Sequence, residues 1–332
     1  MPRMTGQSLS SGFVICRTLT TPHPMNLLLL TFGDRAENHH QAAFSVLSFL
    51  KDPRIGRVLV MTDRPGFYRW LQAGVAEARA QAAVRPAGAR PVIEVLPISA
   101  DTLKDWQGPQ QFFWRIKIKA IEHALQCYPL QHLVYVDSDT FLATDLSTLQ
   151  VGLDAGQAFM HCRENALADR NSRTLTRMRR MLTGQTLAGV SFDGQTEMWN
   201  AGVIALPASR GRTLVDHALQ LCDAMCATGC PRRLVEQLAF SAALKGAPSL
   251  QPCDRWIVHY WGNKPGWNAF IGHFLAESRL RNETVAQAVA RAADADWQHL
   301  PTEYRHRSTA ERLKRLVDRI WPRYRVRYFT PE

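Results

Sequence analysis

The sequence predicts an α/β fold built on a largely parallel central sheet. Three observations carry this expectation. Strand-length apolar runs alternate with helix-length amphipathic segments, as β-α units demand. The runs are nearly continuous, as in strands covered on both faces. One of them, residues 133–136, ends abruptly in Asp137 and Asp139, and such sheets gather ligands beyond the carboxyl ends of their strands.

The elements follow in order. Residues 27–31 read as the first strand, 33–38 as a loop and 39–50 as a helix turning Ala42, Ala43, Val46, Leu47 and Leu50 inward. Residues 57–61 form a second strand, Arg64-Pro65-Gly66 a turn and 67–82 a helix. Residues 92–96 give a third strand and 114–127 a helix, ahead of the strand that delivers the two aspartates. Residues 158–162 read as a strand, and 170–182 as an arginine-rich helix, first a solvated face and second an acceptor or lid element. An Asn200-Ala201-Gly202 turn runs into a strand ending at Leu206, and helices follow over 210–227 and 231–244. A short strand, 256–258, feeds a loop over 259–267, and the tail from 304 to 329 is basic, aromatic and helical in its first half.

With 332 residues the chain accommodates one large α/β domain with additions, or two domains. The 46% hydrophobic and 21% charged content is that of an ordinary globular protein, which excludes a fibrous or low-complexity chain. Its net charge of +11 favours anionic partners, without choosing among nucleic acid, anionic lipid and nucleotide diphosphate. Nucleic acid is not expected, because no nucleic-acid motif accompanies the charge. No run approaches the roughly 18 apolar residues that a membrane span needs. Residues 1–24 read as a loose extension without a clear signal peptide, with Met25 an alternative start, and the expected location is cytoplasmic. The seven cysteines show no zinc-type pairing, and Cys222, Cys226 and Cys230 recur every four residues as core packing would place them.

Chemistry concentrates at two places. Side chains at i and i+2 of an extended segment point the same way, so Asp137 and Asp139 can reach one hard cation such as Mn2+ or Mg2+. Water, a third protein ligand and diphosphate oxygens would fill the shell. Asp-x-Asp also occurs in turns and in haloacid-dehalogenase-type phosphatases, though the latter expect a small residue and then Thr after the second Asp, where this chain has Thr140-Phe141. The second place is the loop after residue 258. There His259, Gly262 and Lys264 can bring an imidazole, backbone amides and an ammonium to one phosphate group.

Four motifs, in order, give the chain its resemblance to a known family. They are Tyr135-Val136-Asp137-Ser138-Asp139, Trp199-Asn200-Ala201-Gly202-Val203, Glu236-Gln237, and the stretch from His259 through Tyr260-Trp261-Gly262-Asn263-Lys264-Pro265-Gly266 to Trp267. The chain resembles the retaining, family-8-like glycosyltransferases of the GT-A fold, which include glycogenin and bacterial lipopolysaccharide galactosyl- and glucosyltransferases. That resemblance implies a Rossmann-like sheet flanked by helices, with a GT-A domain over 25–282; residues 283–332 then read as a basic, aromatic helical tail. It implies a metal held by Asp137, Asp139 and His259, and a leaving diphosphate gripped by Lys264 and the Gly262 amide. Glu236, Gln237 and Asn200 would surround the sugar as the catalytic set. Thr31, Asp34, Asp63 and Ser138 would line the nucleotide side. Two departures stand out: the usual Asp-Gln pair is Glu236-Gln237, and Gly266 separates Pro265 from Trp267. Arg115 and Lys119 share a helix face at i, i+4, whereas Lys117 points about 200° away, so the first two are the expected donor-contacting cations.

The expected activity is therefore metal-dependent, retaining transfer of a hexose from a UDP-sugar to a glycan or lipid-linked acceptor, by front-face substitution assisted by Glu236, Gln237 or the leaving phosphate. A non-catalytic nucleotide- or glycan-binding module and the phosphatase are the competing readings. In the tail, Arg312, Lys314, Arg315, Arg319, Arg323, Arg325 and Arg327 interleave with Leu313, Leu316, Ile320, Trp321, Tyr324, Tyr328 and Phe329. The tail is expected either to dock on the domain as a terminal helix or to hold the protein peripherally at an anionic inner-membrane face.

Overall fold

The computed structural model describes residues 25–82, 91–169, 172–246, 250–304 and 308–321. The extension read over 1–24 and the tail beyond Trp321 lie outside the described residues. From β1 (Met25–Thr31) the chain passes through α1 (Ala36–Phe49), β2 (Ile55–Thr62), α2 (Arg69–Ala82), β3 (Val92–Pro97), α3 (Ala100–Trp106) and α4 (Arg115–Cys127) to β4 (His132–Val136). Next come β5 (Thr140–Leu142), α5 (Ser147–Asp154), β6 (Ala158–Met160), β7 (Arg163–Ala166), α6 (Arg173–Leu182), β8 (Thr186–Leu187), β9 (Val190–Ser191), β10 (Glu197–Trp199) and β11 (Val203–Leu206). The last part comprises α7 (Gly211–Ala227), α8 (Val235–Leu244), β12 (Leu250–Pro252), β13 (Ile257–His259), α9 (Lys264–Leu280), α10 (Val285–Ala293) and α11 (Ser308–Ile320).

Seven strands form one sheet in the order β12-β6-β11-β4-β1-β2-β3. Its pairings are parallel except those that β11 makes with β4 and β6. The continuous apolar runs have a physical cause, because successive side chains point to opposite faces and both faces are covered. Leu27, Leu29, Val58, Val60, Val134 and Val136 pack on one face with residues of α1, α2, α9 and α10. Leu28, Leu59, Met61, Leu133 and Tyr135 pack on the other with residues of α4, α7 and α8. The molecule is thus α/β, consistent with a Rossmann-like fold.

This arrangement places the site. α1 and α2 join β1 to β2 and β2 to β3 over the first face. α4 then returns the chain over the second face and lays β4 on the other side of β1. The strand order reverses between β1 and β4, and the crevice outside their carboxyl ends is where open α/β sheets bind ligands. β13 pairs antiparallel with β5, setting His259 opposite Thr140, and Tyr260 N–H donates to Asp139 O at 3.1 Å. The register of two short strands therefore brings His259, far away in sequence, beside the Asp pair.

Aromatic packing anchors the segment after β13. Trp267 is fully buried, stacks on Tyr260 with centroids 4.5 Å apart and lies 5.0 Å from Phe141. Its indole N–H donates to Pro301 O at 3.2 Å, and Asn263 caps α9 by accepting from Gly266 N–H. The expected loop over 259–267 thus becomes helix from Lys264 onward. Packing also continues past residue 282, since Val285, Ala288 and Ala292 of α10 are buried and Trp297 and Leu300 cover the same core. α11 is different: Leu313, Leu316, Val317 and Ile320 are 62, 53, 45 and 57% exposed, so among the described residues little covers its apolar side. Among the described residues no helix is long and apolar enough to cross a membrane. Cys222, Cys226 and Cys230 are buried, as their spacing suggested.

Candidate metal and diphosphate site

Asp137 and Asp139 follow β4 directly, and ligand atoms of Asp137, Asp139 and His259 all lie within 4.8 Å of one another. The wiring of His259 decides what this cluster can do. Asn200 Oδ1 accepts from Gly202 N–H at 2.9 Å while Asn200 Nδ2 donates to Glu164 Oε1 at 2.7 Å, which fixes the amide orientation. His259 Nδ1, 3.0 Å from that same oxygen, must therefore be the donor. In the neutral ring this leaves a lone pair on Nε2, which faces Asp139 Oδ1 at 3.5 Å. Two acceptors face each other there, an arrangement that calls for a proton or a cation between them. Two carboxylates and an imidazole whose other nitrogen is hydrogen-bonded make a donor set suited to a divalent ion.

Gly202 is required by this packing, because a Cβ at that position would lie 2.2 Å from the His259 ring. The glycine of the Asn-Ala-Gly turn thus serves the histidine. Gly262 has a different cause: its Cβ would meet Glu303 at 2.4 Å, and its carbonyl accepts from Tyr304 N–H at 3.2 Å. Packing of residues 303 and 304 accounts for a glycine there without any phosphate.

Charge is concentrated and largely buried. Lys264 Nζ lies 2.8 Å from Asp139 Oδ2, and its side chain is half exposed toward the crevice. Burial pushes the Asp139 carboxyl up, but the hydrogen bond and charge that His259 supplies once a proton sits on Nε2, together with the Lys264 ammonium, outweigh it and hold the group below the usual carboxylate range. Lys117 Nζ reaches Asp137 Oδ1 at 3.1 Å, Glu236 Oε1 at 3.0 Å and Ala201 O at 3.1 Å. Its burial opposes the charge, yet Asp137 and Glu236 hold the ammonium above its ordinary value. Glu236 is raised, first by burial and then by Asp137, against the pull of Lys117. Tyr135 Oη donates to Asp137 Oδ1 at 2.7 Å, and burial raises that phenol too.

Lys117, set aside in favour of Arg115 and Lys119, is thus the cation of α4 that enters the site. Arg115 turns away to form a bidentate pair with Asp223, at 2.7 and 3.0 Å, and Lys119 pairs with Glu122. Helix spacing separated the two faces correctly, but the position of β4 against the first turn of α4 decides which face meets the aspartates.

A cavity of about 200 Å³ opens beside the two aspartates and the two lysines. Thr31 at the end of β1, Ser138, Asp137, Asp139, Lys117 and Lys264 line it, and Phe32, Phe113 and Trp114 form an aromatic rim. Ser138 Oγ also donates to Gln41 at 3.4 Å. Asp34 and Asp63 belong to the adjoining surface. The Asp63 carboxylate accepts from Gly33 N–H at 3.1 and 3.2 Å, pinning a turn whose φ of +92° suits glycine. Asp34 pairs with Arg64 and lines a neighbouring cavity of about 340 Å³ with His39 and Phe67.

Asn200 and Gln237 converge on a residue that the sequence did not single out. Glu164 on β7 accepts from Asn200 Nδ2 at 2.7 Å and from Gln237 Nε2 at 2.8 Å. A four-residue, mostly polar strand carries no periodic signal that could have marked it. Comparison with protein-family models and with curated proteins finds no match to this chain.

Proposed function

We propose that the chain is a metal-dependent, retaining glycosyltransferase of GT-A architecture that moves a hexose from a UDP-sugar to a glycan or lipid-linked acceptor. The observation that carries this reading is the pairing of His259 Nε2 with Asp139 beside Asp137, at a strand-order reversal, with Lys264 at 2.8 Å. Mn2+ or Mg2+ held by Asp137, Asp139 and His259 would supply Lewis-acid stabilisation of the charge that gathers on a departing diphosphate.

The chain's own groups have separable parts in this reading. Lys264 presents a half-exposed ammonium to the diphosphate, while Lys117 fixes Asp137 and Glu236 from beneath. Asn200 holds His259 in the tautomer that a metal ligand needs. Phe32, Phe113 and Trp114 offer flat apolar faces to a nucleobase. Asn200, Gln237 and Glu164 form a hydrogen-bonded polar group at the end of the site where sugar would be transferred. Retention rests on the motif resemblance.

A lipid-linked acceptor gives the exposed apolar side of α11 a use. Arg312, Lys314, Arg315 and Arg319 flank it, and each cation near an anionic bilayer contributes about 1 kcal/mol. Peripheral docking at the cytoplasmic membrane face follows, and removal of 313–332 should reduce sedimentation with anionic liposomes at low salt.

The reading is tested by screening nucleotide sugars with Mn2+ and following nucleoside diphosphate release. Turnover of a UDP-hexose is expected. Metal-dependent phosphate release from monoesters, with no nucleotide sugar consumed, would favour the phosphatase instead.

A further inference from the structure

A third cavity, of about 340 Å³, is lined by Asn200, the residue that hydrogen-bonds His259. Trp261, two residues beyond His259, lines it with an indole that is 48% exposed. Glu164 and Gln237 line it too, and each Glu164 oxygen accepts one amide hydrogen bond, which leaves acceptor capacity for further donors. An apolar ring face beside a carboxylate and an amide is suited to a sugar, whose C–H face stacks while its hydroxyls donate.

The cavity also contains a cation. Arg233, an exposed side chain, lines it from the short turn before α8, and among the described residues no ion pair engages it, although Glu164 lines the same space. Ser172 and Thr174 supply hydroxyls to the lining, and Arg173 and Arg177 are exposed on the same helix. A guanidinium with its donor fork open, beside hydroxyl groups, matches a phosphate or carboxylate rather than a neutral ring.

We propose that this cavity is the acceptor subsite and that the acceptor sugar carries a phosphate or carboxylate group, which Arg233 holds while Trp261 stacks against the ring. The name acceptor rests on the donor reading above; the binding of an anionic sugar does not. The shared chemistry is an oxyanion on a pyranose, and two probes separate its sources.

Full-length protein is titrated by ligand-observed NMR with glucose, glucose 6-phosphate, glucuronate and inorganic phosphate. At least one anionic sugar should bind about tenfold more tightly than both glucose and phosphate alone. Arg233→Ala should remove that advantage, Arg233→Lys should restore part of it, and Trp261→Ala should weaken the anionic sugar without touching Mn2+-dependent UDP binding. Asp139→Asn should lose UDP binding yet keep the sugar phosphate or uronate, which separates failure of the donor reading from failure of this one. Equal binding of glucose and both anionic sugars, or an unchanged preference in Arg233→Ala, overturns the proposal. Inorganic phosphate binding as tightly as the sugar phosphate overturns its sugar component.

Discussion

Each end of β4 has a histidine side chain beside an aspartate, and the two pairs are wired in opposite senses. At the amino end, His132 Nδ1 accepts from Ala208 N–H at 3.0 Å, so Nε2 carries the hydrogen toward Asp154 Oδ1 at 2.9 Å. Donor meets acceptor at both nitrogens, and the ring fastens the end of α5 to the turn after β11. At the carboxyl end, Asn200 takes the hydrogen of His259 Nδ1 and turns a lone pair on Asp139. Side-chain exposures are similar for the two rings, 2 and 6%, so burial does not distinguish them. A buried histidine is structural when its hydrogen bonds close on the protein, and a candidate ligand when one nitrogen faces another acceptor.

The largest expected effect at the carboxyl end comes from the cation beneath the aspartates. Lys117→Met would leave Asp137 and Glu236 buried without their counter-charge, and should cost about 3 to 5 kcal/mol of unfolding free energy in a urea titration. Lys119→Met, two residues on and on the opposite face, removes a partner of Glu122 that Arg212 also reaches, and should cost less than about 1 kcal/mol. Equal losses would mean that Lys117 does not hold the acid cluster together.

The two histidines should divide stability from ligand binding. His132→Ala should lower stability by about 1 to 3 kcal/mol, because it strands Ala208 N–H and Asp154, and leave Mn2+-dependent UDP affinity unchanged. Gly202→Ala should act on the ligand as well as on packing, displacing the His259 ring and weakening metal affinity by about 10 to 100-fold. Metal affinity that survives Gly202→Ala would show that the ring's place against the turn is immaterial. A smaller effect is expected at Lys264, whose side chain is 49% exposed: Lys264→Ala should weaken UDP by about tenfold and uridine hardly at all. Calorimetry with both ligands reads the difference.

Much of this site was legible in the sequence where chemistry sits on a strong local pattern. The apolar run before Asp137 marks β4, and the Asn-Ala-Gly turn and the aromatic stretch from His259 to Trp267 mark their segments. What escaped depends on contacts between distant pieces. The two faces of α4 differ little in local sequence, and only the sheet beside it selects Lys117 over Arg115 and Lys119. Three- and four-residue strands such as β5, β7 and β13 are too short for periodicity to reveal, so Glu164 and the register that carries His259 to Asp139 emerged only in three dimensions. α10 was absorbed into the tail because its basic surroundings masked a buried side of Val285, Ala288 and Ala292.

The central claim, that the carboxyl end of β4 is open to a divalent cation where the amino end is closed, is tested most directly by titrating Mn2+ into the wild-type chain and into His259→Ala, with and without UDP, by electron paramagnetic resonance. The wild type should bind one Mn2+ more tightly when UDP is present, and His259→Ala should lose that site while remaining folded. No UDP-enhanced Mn2+ site in the wild type, or the same site undiminished in His259→Ala, would contradict it.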